Sequence, residues 1–145
     1  MKTYKLEQRT PTLQEYTRLC DSVGWTDFMN YDAAETSLEN SLFSVVIMDH
    51  EQAIGMGRII GDGAIYFYIQ DIVVHPDHQG KGLGQEIMDS IVDYLKDHAP
   101  DKAFVGLFAS GGKESFYEKY DFMDHSPNMT GMFTVVLKYG QGELA

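Results

Sequence analysis

The stretch Gln70-Asp71-Ile72-Val73-Val74-His75-Pro76-Asp77-His78-Gln79-Gly80-Lys81-Gly82-Leu83-Gly84 changes character twice within fifteen residues. It opens as the end of a longer run, Ala64 to Val74, dense in Tyr, Phe, Ile and Val, which is the composition of a buried strand. It then crosses His75-Pro76 and a glycine-rich turn. Beyond the turn, Leu83, Ile87, Ile91 and Leu95 recur every four residues while Glu86, Asp89, Asp93 and Asp97 fall on other faces, so the period is that of an amphipathic helix. Pro100 cannot continue that helix. Ala103 to Ala109 is the next apolar run and reads as a buried strand. Strand, helix, strand in this order predicts a parallel pair joined by a right-handed crossover.

Upstream of this unit, Phe43 to Met48 and Ala53 to Ile60 are two more strand-like runs. The polar turns Asp49-His50-Glu51-Gln52 and Gly61-Asp62-Gly63 join them to each other and to the long strand, which implies an antiparallel meander. Residues 4 to 8 suit a short edge strand. Thr12 to Val23 places Leu13, Tyr16, Leu19, Cys20 and Val23 at helical spacing, with Thr12 as N-cap and Glu15 completing a capping box. A weaker helix is expected from Asp32 to Asn40. Between these helices Trp25 and Phe28 sit in a loop, where two large aromatics must cover something. Downstream, Lys113 to Tyr120 reads as a short helix and Met132 to Lys138 as a last strand. The sum is a mixed α/β sheet in a single domain, residues 1–145.

Composition narrows the class. Eleven Lys and Arg stand against 22 Asp and Glu, a formal charge of −11, which argues against a protein that holds nucleic acid through bulk charge. The acidity suits a cationic substrate and serves equally as plain solubility. With 43% hydrophobic residues the chain can bury a core, so disorder is excluded. Cys20 is the single cysteine, which excludes an intrachain disulfide. No run approaches the roughly 18 apolar residues of a membrane span, and the first residues lack a signal-type apolar core; a cytoplasmic protein without membrane attachment is the expectation.

Glycines at 80, 82 and 84 give the turn its chemistry. They permit conformations closed to other residues and let several amides point at one anion, beside the partial positive charge of a helix N-terminus. A dinucleotide fingerprint starting at Gly80 would need Gly or Ala where Gln85 stands, and a P-loop would need glycine at His75 and Ser or Thr at Gly82. Both are excluded, while a glycine-rich helix start without a ligand stays open. His75, Asp77 and His78 lack a fourth metal ligand nearby, so no metal is expected.

Here the chain resembles a known family. Gln79-x-x-Gly82-x-Gly84 matches the Q/R-x-x-G-x-G/A signature of the GNAT superfamily of acetyl-CoA-dependent N-acetyltransferases, and Ser115-Phe116-Tyr117-Glu118-Lys119-Tyr120-Asp121-Phe122 is similar to its F-Y-x-x-x-G-F segment, with Asp121 in place of the usual glycine. The resemblance implies a mostly antiparallel twisted sheet of six to seven strands flanked by about four helices, whose central strands splay to admit acetyl-CoA as co-substrate. It implies that backbone groups of Ile72, Val73 and Val74 pair with the pantetheine arm, and that Gln79, Gly80, Lys81, Gly82, Leu83 and Gly84 hold the diphosphate. Ser110 falls where many relatives place an asparagine near the cofactor. Dimerisation through the last strands is a habit of the family, and the run Met132 to Leu137 would be a hazardous edge if left bare, so a homodimer is allowed.

N-acetyl transfer requires a neutral amine, stabilisation of the oxyanion and a proton for the departing thiolate. The resemblance assigns the proton to Tyr117 and the oxyanion to an amide near Ile72 and Val73. Tyr68 stands where some relatives carry a catalytic glutamate, which leaves Asp71 as the nearby carboxylate to bind an ammonium group or accept its proton. An alternative for Asp71 is to cap a bulge. Trp25, Phe28, Tyr31, Tyr66, Tyr68, Gln70, Phe108 and Phe133 are candidate walls of the acceptor site, and aromatics with a carboxylate suit a small primary amine. Two other readings stay open: a non-catalytic acetyl-CoA-binding sensor, and an acetyltransferase acting on a protein or peptide amine.

Overall fold

The computed structural model describes residues 3–138. The chain divides into two compact units, Met1–Leu107 and Phe108–Ala145. The first holds strands β1 (Tyr4–Glu7), β2 (Phe43–Asp49), β3 (Gln52–Gly61), β4 (Tyr66–Val74) and β5 (Phe104–Gly106), with helices α1 (Leu13–Ser22), α2 (Ala34–Glu39) and α3 (Leu83–His98). The strands form one sheet in the order β1-β2-β3-β4-β5. Neighbours are antiparallel except β4 and β5, which run parallel. That is the meander followed by a β-α-β crossover through α3, as the sequence predicts.

Local chemistry sets these elements. Thr12 caps α1 in a full capping box: its hydroxyl accepts from the Glu15 amide at 3.1 Å and Glu15 accepts from the Thr12 amide at 2.9 Å. Asp62 fixes the turn into β4, its carboxylate accepting from the amides of Ala64, Ile65 and Tyr66 at 2.8–3.0 Å. Tyr16, Leu19, Cys20, Ala34 and Leu38 of α1 and α2 pack with Val46, Met56 and Val73 in the buried core. Side chains alternate across a strand, so Gly57 lies on the opposite face from Met56. There α3 comes so close that a Cβ on Gly57 would stand 2.5 Å from Ile87 Cγ2 and 3.2 Å from Ile91 Cδ1.

Two irregularities in β4 matter for function. The β4–β5 ladder has only three pairs, Tyr66↔Phe104, Phe67↔Val105 and Tyr68↔Gly106. The ladder ends there with β5 itself, and Ile69 to Val74 continue with β3 as their strand partner. Within that stretch Met56 pairs with Val73 and Arg58 with Gln70, so Gly57 alone faces both Asp71 and Ile72. This is a β-bulge, and Asp71 adopts φ +59 to make it.

The second unit contains α4 (Glu114–Glu118), shorter than the expected Lys113 to Tyr120. Two strand expectations need correction. β5 spans three residues of the expected seven, and Phe104 is exposed. Met132 to Lys138 is not a strand; Met132, Phe133, Val135, Val136 and Leu137 are all exposed. The described residues therefore carry five strands where six to seven are expected. Apolar composition signals that a run can pair, and pairing also needs a neighbour that supplies the other half of the ladder. The dimer edge expected of Met132 to Leu137 is likewise not a strand here.

Candidate active site

The turn between β4 and α3 is built by its glycines. Gly80 and Gly82 both lie at φ +79, the left-handed region, and Gly82 is the N-cap of α3. A Cβ on either would meet nothing within 4 Å, so the space around both is open. The first hydrogen bond of the helix runs from the Glu86 amide to the Gly82 carbonyl at 3.2 Å. The amides of Leu83 and Gly84 lie in the first turn, where a helix leaves its donors without partners of its own.

Side chains brace this turn. Gln79 Nε2 donates to the Val74 carbonyl at 3.0 Å, pinning the end of β4 to the loop. Lys81 Nζ donates to Tyr4 Oη at 3.1 Å and lies 5.7 Å from the centre of that ring. Tyr4 Oη is also 2.9 Å from His78 Nδ1. His75 Nδ1 accepts from the Asp77 amide at 3.1 Å. One cation is thus tethered beside the glycine turn that follows β4. Leu83 is buried and anchors the first turn of α3 in the core. Among the described residues, no three His, Cys, Asp or Glu side chains converge as a metal site. No helix among them is long and apolar enough to cross a membrane.

Asp71 is placed otherwise than as an accessible base. Its side chain is 2% exposed; Oδ2 accepts from Arg58 Nε and Tyr16 Oη, each at 2.9 Å, and lies in an ion pair 2.9 Å from Arg58 Nη2. Arg58 Nη1 also donates to the Ser37 carbonyl at 3.0 Å and to Ser41 Oγ at 2.8 Å, and Nη2 to Ser37 Oγ at 3.2 Å. The guanidinium thus makes four hydrogen bonds, to Asp71, Ser37 and Ser41. Burial, and then the Asp71 charge, pushes the Tyr16 phenol far above its ordinary value. The buried Cys20 thiol is pushed up to about 11, chiefly by burial and then by the same carboxylate. Composition alone did not single out Arg58; its signal was one cation inside the otherwise uncharged run Ala53 to Ile60.

The expected acceptor walls differ in exposure and partners. Trp25 and Tyr31 pack, half-buried, against the core under α1 and α2. Tyr31 Oη lies 2.9 Å from Thr26 Oγ1. Phe28 is 83% exposed. Tyr66 is exposed with its ring 6.2 Å from Phe104. Tyr68 is half-buried, and burial followed by the Asp71 charge raises its pKa. Gln70 is half-buried, opposite Arg58 in the ladder. In the second unit, Tyr117 of α4 is half-buried with its ring 5.0 Å from Phe116, and burial raises its pKa. Ser110 is exposed and its carbonyl accepts from the Lys113 amide. Phe108 and Phe133 meet edge to face at 5.7 Å.

A family model described as the acetyltransferase (GNAT) domain matches residues 9–136. The chain belongs to the GNAT acetyltransferase family. Among relatives of this acetyltransferase, an uncharacterised N-acetyltransferase ycf52-like protein of Prochlorococcus marinus is 38% identical over 114 residues, 76% of this chain and 62% of the relative. The uncharacterised N-acetyltransferase ycf52 of Pyropia yezoensis is 30% identical over 134 residues, 90% of this chain and 75% of the relative. A probable acetyltransferase of unknown function from meticillin-resistant Staphylococcus aureus has a crystal structure that matches this GNAT fold. Its TM-score is 0.82 at 36% identity, covering 94% of this chain and 99% of that one.

Proposed function

We propose that the chain, residues 1–145 acting as one domain, transfers an acetyl group from acetyl-CoA to the primary amine of a small molecule by direct attack in a ternary complex. One observation carries this: the glycine turn with open space at Gly80 and Gly82 follows a strand whose pairing with β5 ends at Tyr68. A diphosphate fits such a turn because amide donors and a helix N-terminus face one anion. An amide-rich arm fits a strand edge that has lost its neighbour.

In this proposal the amides from Gly80 to Gly84 and the ammonium of Lys81 hold the diphosphate. Gln79 keeps the loop in register with Val74. The backbone of Ile72 to Val74 orients the cofactor arm, with the Ile72 amide directed at the acyl oxygen. Acetyl-CoA supplies the acyl group as an activated thioester. Tyr117 keeps its proton at neutral pH, as a phenol of ordinary pKa about 10 does and burial reinforces, and it gives that proton to the departing sulfur. Trp25, Phe28, Tyr31, Tyr68 and Gln70 select the acceptor. Asp71 is enclosed by Arg58 and Tyr16, so the amine arrives already neutral, and kcat/KM rises with pH up to the pKa of the acceptor itself.

The test is calorimetric titration with coenzyme A followed by thiol-release assays across a panel of small amines and lysine peptides. Binding with turnover of small amines supports the proposal. Binding with no turnover of any amine identifies a sensor, and turnover of peptides alone identifies a protein acetyltransferase.

A further inference from the structure

We propose that the buried cluster of Arg58, Asp71 and Tyr16 is the positioning device of the acyl site: it holds the β4 bulge, and through the bulge it sets the direction of the Ile72 amide. The inference rests on the acetyl-transfer proposal above and names a role that catalytic chemistry does not cover.

The bulge is a chain problem first. Gly57 faces two residues of β4, so one of them must leave the regular strand path. Asp71 does so at φ +59, a region glycine enters freely and aspartate tolerates better than most side chains. Glycine would make the turn without strain. A bulge of glycine alone, however, is free to slide along the ladder, whereas a side chain anchored in the core fixes which residue is the extra one.

The anchor joins four parts of the fold. Asp71 of β4 is held by Tyr16 of α1 and by Arg58 of β3, while Arg58 is held in turn by Ser37 of α2 and by Ser41 after it. Two charges that are 4% and 2% exposed are a costly way to fill a core. Apolar residues of like volume often serve stability equally well, and fixing register is the best-attested use of such polar groups. The place of the bulge decides what that register controls. It lies after Tyr68, in the part of β4 beyond its ladder with β5, so a one-residue slip would turn the edge offered to the cofactor by half a period. Asp71 and Tyr16 are therefore positioning residues, and neither touches the reacting atoms.

The experiment compares Asp71→Gly with Asp71→Ala, and adds Tyr16→Phe, all assayed at a temperature where circular dichroism shows each variant folded. Both Asp71 variants lack the carboxylate, but only glycine takes the left-handed conformation without strain. Positioning predicts that kcat of Asp71→Gly exceeds that of Asp71→Ala by about tenfold. It also predicts that Tyr16→Phe lowers kcat about fivefold with a smaller loss in affinity for coenzyme A, whose diphosphate cradle is untouched, and that the midpoint of the kcat/KM pH profile does not move. Equal inactivity of the two Asp71 variants with a shifted profile would overturn the proposal in favour of a proton-accepting carboxylate. Full kcat in folded Asp71→Ala would overturn it in favour of stabilisation alone. An arm independent of activity measures the HN–Hα coupling of residue 71 and the cross-strand contacts Met56–Val73 and Arg58–Gln70 by NMR. Asp71→Gly and Tyr16→Phe should loosen this register, and an unchanged register in both would also overturn the proposal. Wild-type protein that binds no coenzyme A would sink the acetyl-transfer proposal instead, and the register measurement would still decide whether the cluster holds the bulge.

Discussion

Replacing Gly80 and Gly82 together by alanine tests the diphosphate cradle against an internal control. Both lie at φ +79 with open surroundings, so in the free protein the substitution strains the backbone and clashes with nothing. An alanine in the left-handed region costs about 1–2 kcal/mol, and the stiffer unfolded chain returns about 0.4–1 kcal/mol of it. The net is about 1 kcal/mol per site, or roughly 4 °C in Tm for a chain of this size. Gly24, at φ +81 and equally open, follows α1 at a position with no ligand role. Gly24→Ala carries the same backbone cost and nothing else.

Bound diphosphate separates the two sites. Methyl groups at 80 and 82 occupy space that phosphate oxygens need in order to reach the amides. Losing two hydrogen bonds to a charged group, at about 1.5–3 kcal/mol each, weakens coenzyme A binding about 100-fold or more. Calorimetric Kd and thermal melts on the wild type, Gly80→Ala/Gly82→Ala and Gly24→Ala should therefore show comparable Tm losses per substitution and a collapse of affinity in the loop variant alone. A double variant that binds coenzyme A like the wild type would refute the cradle. An equal loss of affinity in Gly24→Ala would trace the effect to destabilisation.

Tyr117→Phe should lower kcat by about 100-fold and leave the Kd for coenzyme A unchanged; because burial raises the phenol pKa, the alkaline fall in wild-type kcat belongs above about pH 10, and a fall below pH 9 that vanishes in the variant would count against it. Gly57→Ala should cost about 1–3 kcal/mol by overpacking, since the new Cβ would stand 2.5 Å from Ile87 Cγ2 and 2.8 Å from Ile72 Cδ1; the urea midpoint should drop with an unchanged m-value. Glu15 has a lowered pKa through its hydrogen bond with Arg9 and then the Thr12 amide. A carboxylate depressed in the folded state gives its full stabilisation above its unfolded pKa of about 4.3 and loses it as pH falls through the folded value. Glu15→Gln should then destabilise by about 1 kcal/mol or less at pH 7 and by almost nothing at pH 2; a cost independent of pH would contradict this.

The meander, the crossover and the capping box were legible because each rests on neighbours in the sequence. Thr12 and Glu15 are three residues apart, and the α3 stripe from Leu83 to Leu95 repeats every four, so period and cap carry their own evidence. The glycine turn was legible for the same reason, since a left-handed N-cap at Gly82 is a local demand. Ala103 to Ala109 and Met132 to Lys138 misled because strand composition is a capacity to pair, realised over three residues in the first and not at all in the second.

Asp71 marks where local patterns stop informing. Its partners are 13 and 55 positions away, and a carboxylate in an apolar strand reads the same whether it faces a substrate or an arginine. Counting the ladder from the turn fixed by Asp62 places Arg58 opposite Gln70, which by regular alternation leaves Asp71 on the other face; only the bulge, with Asp71 at φ +59, brings the carboxylate round to Arg58. Once they share a face, a lone cation and a lone anion are far cheaper to bury together than separately. The bulge was the missing piece, because nothing local in the sequence announces it. The Arg58 hydrogen bonds to Ser37 and Ser41 place it where it meets Asp71.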